Sequence, residues 1–105
     1  PLIRVLVDFS VAYGSDLDHV EKIVIAAIGK IEGRCDDPAP SCVCHSMGDS
    51  GLIMQAKIWI PNYADQYSKW LEMTKIVYNA LNDAGIIIPF PTQTIYIEKD
   101  ANEEE

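Results

Sequence analysis

The chain is short of basic side chains, of cysteine and of long apolar runs. Eight Lys and Arg stand against sixteen Asp and Glu in 105 residues, for a formal net charge of −8. That balance excludes a nucleic-acid partner, because a phosphate backbone calls for a basic surface. It equally excludes a polybasic anchor on an anionic membrane surface. No stretch approaches the roughly 18 consecutive apolar residues of a membrane span; runs such as Ile23 to Ile28 are far shorter. Three cysteines, an odd number, cannot form a complete disulfide framework, and such sparse use fits a reducing, intracellular setting. No signal-peptide pattern opens the chain. Pro1 stands first instead of Met, so we expect a segment of a longer protein.

Chemical signatures are equally thin. Cys35, Cys42, Cys44 and His45 gather thiols and an imidazole, but a structural zinc site wants four ligands and usually a C-x₂₋₄-C pair. On a strand, Cys42 and Cys44 share one face while His45 points to the other, so they converge only through a bulge. As small core hydrophobes the two cysteines need no ligand. His19, beside Asp18 in the first turn of a helix, reads as a surface residue. The carboxylates of Asp16, Asp18, Glu21, Asp36 and Asp37 fall in caps and loops and do not form the contrasting pair of acid–base catalysis. Gly48-Asp49-Ser50-Gly51 runs into a strand, whereas a phosphate cradle runs into a helix N-terminus. We therefore expect no enzyme, no cofactor and no metal.

What is present is a core. Hydrophobic residues make up 49% of the chain, enough for one folded domain of this length. Residues 2–12 alternate, with Ile3, Val5, Val7, Phe9 and Val11 on one parity, and read as a half-buried strand. Gly14 turns the chain and Ser15 is a candidate N-cap. Leu17, Val20, Ile23, Val24, Ala27, Ile28 and Ile31 then follow a helical period, with Gly33 as its left-handed stop. Residues 34–40 form a loop. Residues 41–47 and 52–60 make an antiparallel hairpin across the Gly-rich turn. Its second strand places Leu52, Met54, Ala56, Ile58 and Ile60 on one face. A second helix over about Ala64 to Ala84 carries the stripe Tyr67, Trp70, Leu71, Thr74, Val77, Tyr78 and Leu81 and ends at Gly85. Thr92 to Glu98 alternates again. The order β-α-β-β-α-β argues for an α+β, ferredoxin-like sandwich, an antiparallel sheet with two helices on one face.

Two features exceed the needs of that core. Trp59 falls with Lys57 on the polar face of its strand, a position suited to a partner surface. The segment Gly85-Ile86-Ile87-Ile88-Pro89-Phe90-Pro91 sets large apolar residues between prolines, which cannot donate to a ladder. Oligomerisation through the final strand would satisfy the unpartnered tail. Alternatively, the tail completes the sheet of the monomer.

Four segments carry a resemblance: Val11 to Val20 (VAYGSDLDHV), Met47 to Leu52 (MGDSGL), Lys57 to Ile60 (KIWI) and Asp83 to Pro91 (DAGIIIPFP). In order and spacing, over residues 5–98, they resemble the C-terminal cytoplasmic part of the small-conductance mechanosensitive (MscS-like) channel family. The resemblance implies a ferredoxin-like unit on the cytoplasmic side of the cell (inner) membrane. It implies a homo-oligomer, a heptamer in the full-length channel, enclosing a vestibule with side portals through which ions and small solutes pass. Membrane contact would come only through upstream helices that this sequence does not include. It further implies that Thr94, Ile95, Tyr96 and Ile97 belong to a strand of a parallel β-barrel shared by the subunits, with Pro89, Phe90 and Pro91 as the bend leading into it. Cys42 and Cys44 stand where the family usually has aliphatic residues. The expected organisation is an α/β domain over 1–91, a barrel strand over 92–98 and a frayed acidic tail over 99–105. A small-molecule or metal-sensing module is the alternative for such a fold.

Overall fold

The structure is a computed structural model that describes residues 2–89. Three strands and two helices follow in the order β1 (Ile3–Val11), α1 (Leu17–Ile28), β2 (Ser41–Met47), β3 (Leu52–Ile60) and α2 (Gln66–Asp83), with a single 3-10 turn at Tyr63–Asp65 before α2. The sheet is antiparallel throughout, in the order β1-β3-β2. β1 pairs with β3 without interruption from Ile3↔Ile60 to Val11↔Leu52. β2 pairs with β3 from Ser41↔Lys57 to Met47↔Leu52, with a register shift between Cys44 and Ser46. The expected fourth strand, Thr92 to Glu98, and the tail after it lie outside the described residues.

Period-2 alternation sets the sheet's two faces. Val5, Val7 and Val11 of β1 and Leu52, Met54, Ala56, Ile58 and Ile60 of β3 are buried, as their parity predicts. Val20, Val24 and Ile28 of α1 and Met73, Val77 and Leu81 of α2 join them in one core. Both helices therefore cover the same face of the sheet. The opposite face carries Arg4, Asp8, Gln55, Lys57 and Trp59, and among the described residues no helix lies over it.

The structure moves several boundaries. Asp16, not Ser15, caps α1: its Oδ1 accepts from the His19 N–H at 3.3 Å. Ser15 instead donates its hydroxyl to the Ala12 carbonyl at 2.6 Å, closing the turn after β1. α1 ends at Ile28 with Gly29 as cap, short of Gly33. Gly33 does adopt positive φ (+86°), but in the loop beyond. Arg34 holds that loop by donating Nε to the Gly29 carbonyl at 2.8 Å, one of the carbonyls left open at the helix end.

The expected stripe of α2 requires correction. Val77 and Leu81 are buried, but their companion is Met73, while Tyr67, Trp70, Leu71 and Tyr78 are exposed. α2 has two faces at helical spacing. The aliphatic one docks on the sheet because tyrosine hydroxyls find water more readily on the other.

Candidate interaction surface

The exposed face of α2 runs beside the outer edge of β1. Tyr67, Trp70, Leu71 and Tyr78 are 70%, 42%, 46% and 57% exposed. Trp70 and Leu71 follow Tyr67 by three and four residues and Tyr78 follows Leu71 by seven, which aligns them along the helix. Tyr67 and Trp70 stack, with ring centroids 6.2 Å apart and planes 20° from parallel. Two shallow grooves of about 340 Å³ each lie between β1 and α2. One is lined by Arg4, Leu6, Tyr67 and Trp70. The other is lined by Phe9, Val77, Tyr78, Leu81, Ile88 and Pro89. Contiguous exposed apolar side chains of this kind mark contact surfaces.

Trp59 sits on the helix-free face of the sheet and is half-buried. The Arg4 guanidinium lies 6.0 Å from its ring centroid and the Lys57 ammonium 5.9 Å, so two cations flank its π-system. Its carbonyl accepts from the Cys35 N–H at 2.7 Å, tying the end of β3 to the loop. Further along the same face, Gln55 Nε2 donates to Asp8 Oδ1 at 3.1 Å, and His45 Nε2 stands 3.9 Å from that oxygen.

The cysteines do not converge with His45. The bulge that convergence would require is there, at His45 itself, yet the imidazole turns to Asp8 on the open face. Cys42 is buried and Cys44 packs partly against the core on the other face. Burial, then the charges of Glu21 and Cys44, push the Cys42 thiol from 9.0 up to about 12. A metal-binding or reactive thiol has its pKa lowered instead. Among the described residues, no group of three His, Cys, Asp or Glu side chains could hold a metal ion.

The chain leaves α2 through a tight cap. Gly85, at φ +73°, donates its N–H to the Asn82 carbonyl at 3.1 Å, and Ile86 donates to Leu81 at 3.0 Å. These are the two bonds of a Schellman motif. The Ala12 N–H then donates to the Ile87 carbonyl at 2.9 Å, placing the exit at the end of β1. A Cβ on Gly51 would lie 2.6 Å from the Val11 oxygen and 2.7 Å from Pro89 Cγ, so only glycine fits where Pro89 passes. Of the residues expected to bend into and form an assembly strand, Pro89 is described; Phe90, Pro91, Thr94, Ile95, Tyr96 and Ile97 lie outside the described residues. Sequence patterning did not reveal the β1–α2 grooves or the Ala12–Ile87 bond, since both depend on how α2 rotates and where it ends.

Residues 5–88 match the family described as mechanosensitive ion channel MscS, C-terminal. The chain belongs to the MscS family. It is 26% identical over 104 residues to an uncharacterized MscS family protein of Synechocystis, covering 99% of this chain and 35% of that protein. It is 24% identical over 104 residues to an uncharacterized MscS family protein of Haemophilus influenzae, covering 99% of this chain and 9% of that one. Among solved structures, it superposes on Helicobacter pylori MscS in its closed state with a TM-score of 0.78 and 24% identity, over 87% of this chain and 36% of that chain. The sequence thus spans about a third or less of these relatives. It corresponds to the C-terminal domain of an MscS channel protein, and no helix among the described residues is long and apolar enough to cross a membrane.

Proposed function

We propose that this MscS C-terminal domain is a cytoplasmic assembly and vestibule domain of a mechanosensitive channel. It holds subunits of a homo-oligomer, a heptamer in the full-length channel, and shapes the access of ions and small solutes to the pore. The observation that carries this reading is a flank of a channel-family fold that no described residue covers. The β1 edge, unpaired by any strand among the described residues, and the Tyr67, Trp70, Leu71 and Tyr78 face of α2 lie side by side. An unpaired edge next to an apolar face is a surface built to be covered, and in a homo-oligomer a second copy covers it. Trp59, with its flanking Arg4 and Lys57, is a second contact on the open sheet face. Thr94, Ile95, Tyr96 and Ile97 form the strand that joins subunits, reached through the bend at Pro89, Phe90 and Pro91.

The net charge of −8 per subunit gives the vestibule a negative field that favours cations, as charged linings do in other pores. Neutralising Asp36, Asp37 and Glu103 to Glu105 together in the whole channel tests this. The reversal potential in a salt gradient should shift toward anions. An unchanged reversal potential refutes the electrostatic role.

A further inference from the structure

Of four shallow cavities on the domain, three contain an aspartate: Asp16 beside the start of α1, Asp83 between the two helices, and Asp8 in the β1–α2 groove that ends at Pro89. The fourth, the β1–α2 groove lined by Arg4, Val5, Leu6, Gln66, Tyr67 and Trp70, has a cation and no acid. In a chain with sixteen acidic side chains against eight basic ones, that is the reverse of the average surface. Among the described residues, ion pairs join Arg34 to Asp36, His45 to Asp8 and Lys69 to Glu72, and none involves Arg4. An arginine with no carboxylate of its own, at the rim of a groove, offers a planar fork of donors to an incoming anion.

The main chain supplies a second donor. Gln66 Nε2 donates to the Arg4 carbonyl at 3.3 Å, and the Ala12 N–H donates to the Ile87 carbonyl at 2.9 Å. Both bonds lie on the side away from β3, and both involve even positions. In an antiparallel ladder, backbone groups of one parity point the same way, so the N–H of Leu6 also faces outward, at this groove. Among the described residues, no main-chain bond outside the β1–β3 ladder reaches it. The opposite wall is flat and apolar, made by the stacked rings of Tyr67 and Trp70, 6.2 Å apart. On its far side Arg4 rests against Trp59, with 6.0 Å from guanidinium to ring centroid, a contact that restrains a long side chain. A restrained cation, an outward amide and an aromatic wall thus meet in about 340 Å³, the size and make-up of a small-ligand site.

We propose that this groove binds a small aromatic carboxylate, its ring against Tyr67 and Trp70 and its carboxylate accepting from the Arg4 guanidinium and the Leu6 N–H. Both parts of the ligand are needed: a neutral ring leaves Arg4 without a counter-ion, and an aliphatic acid leaves the aromatic wall wet. All the residues belong to one chain, so the site does not rest on the assembly reading. Titrating the nitrogen-15-labelled 105-residue chain with sodium benzoate at constant ionic strength tests it. The Leu6 amide and Trp70 indole N–H signals should shift together and saturate, with a Kd on the order of 10 mM, as suits so small a ligand. Benzamide, which keeps the ring and loses the charge, and acetate, which keeps the charge and loses the ring, should each bind at least about fivefold more weakly. Arg4→Gln should weaken benzoate about tenfold, and Trp70→Ala, read at the Leu6 amide, should weaken it several-fold. Lys22→Gln, which removes an exposed charge from α1, should leave it unchanged. Circular dichroism confirms that each variant is folded, and the comparison of the three ligands needs no variant. Equal binding of benzoate and benzamide, or full affinity in folded Arg4→Gln, overturns the proposal, as does the absence of saturable shifts at Leu6 and Trp70.

Discussion

Replacing Met73 by Ala and, separately, Leu71 by Ala decides which face of α2 carries the fold. The two positions are two residues apart, about 200° around the helix axis. Met73 is fully buried among core residues, whereas Leu71 is 46% exposed. Truncating a buried Met loses its transfer free energy and leaves a cavity, about 2–5 kcal/mol in well-packed cores. Truncating Leu71 should stay within about 0.5 kcal/mol, as surface changes do. Urea unfolding followed by far-ultraviolet circular dichroism reads both. With a slope of about 1.5 kcal/mol/M, a loss of about 3 kcal/mol moves the Met73→Ala midpoint down by about 2 M. The Leu71→Ala midpoint should barely move at low protein concentration. If subunits associate through this face, Leu71→Ala becomes costly only as concentration rises, because association stabilises the folded state by mass action. Equal loss in both variants at low concentration would refute the assignment of the buried face.

The Cys42 thiol, at about 12 in the fold against 9.0 ordinarily, makes stability pH-dependent on the alkaline side. Between those values the unfolded chain gives up the proton and the folded one keeps it, so stability falls as pH rises from about 9 toward 12. Comparing melting curves of the parent and Cys42→Ala across that window isolates the effect; parallel pH profiles would refute it. In native protein, Cys35 and Cys44 should react with a maleimide well before the buried Cys42. Gly85→Ala, forced into positive φ, should cost about 1–2 kcal/mol, a fall in Tm of roughly 4–8 °C per kcal/mol, although no side chain crowds the site.

The sheet was legible because a period of two leaves little freedom. Once Val5, Val7 and Val11 must be buried, β1 has one orientation, and the same holds for Leu52 to Ile60 in β3. α1 was legible because most of its large apolar residues fall on one face, with Ile25 the exposed exception. Its cap was not: Ser15 and Asp16 are both good cap residues, and the choice fell to the turn, where the Ser15 hydroxyl is taken by Ala12. The interaction surface was half legible. Trp59 was placed on the open face by parity with Lys57 beside it on the same strand, but the Arg4 guanidinium near its ring arises from cross-strand pairing with β1. The last four expected assembly residues lie outside the described chain.

α2 shows why a wrong stripe carries information. Tyr67, Trp70, Leu71, Thr74 and Tyr78 repeat at helical spacing, as do Met73, Val77 and Leu81. A helix in an isolated two-layer domain needs one apolar face. Periodicity detects both faces without ranking them, and weighting by side-chain size favours the aromatic one, which is the wrong choice for the core. Packing ranks them differently: the aliphatic face fits onto valines and isoleucines at interior density, while the tyrosines keep their hydroxyls in water. The aromatic face is then left over, and it is left beside the β1 edge instead of at random on the surface. Large aromatics with polar tips, desolvated only when a second surface arrives, are the composition of the centre of a protein–protein contact. Among the described residues, the surplus face of α2 and the outer edge of β1 lie on the same flank of the domain, the flank that the proposed assembly role would cover with another copy.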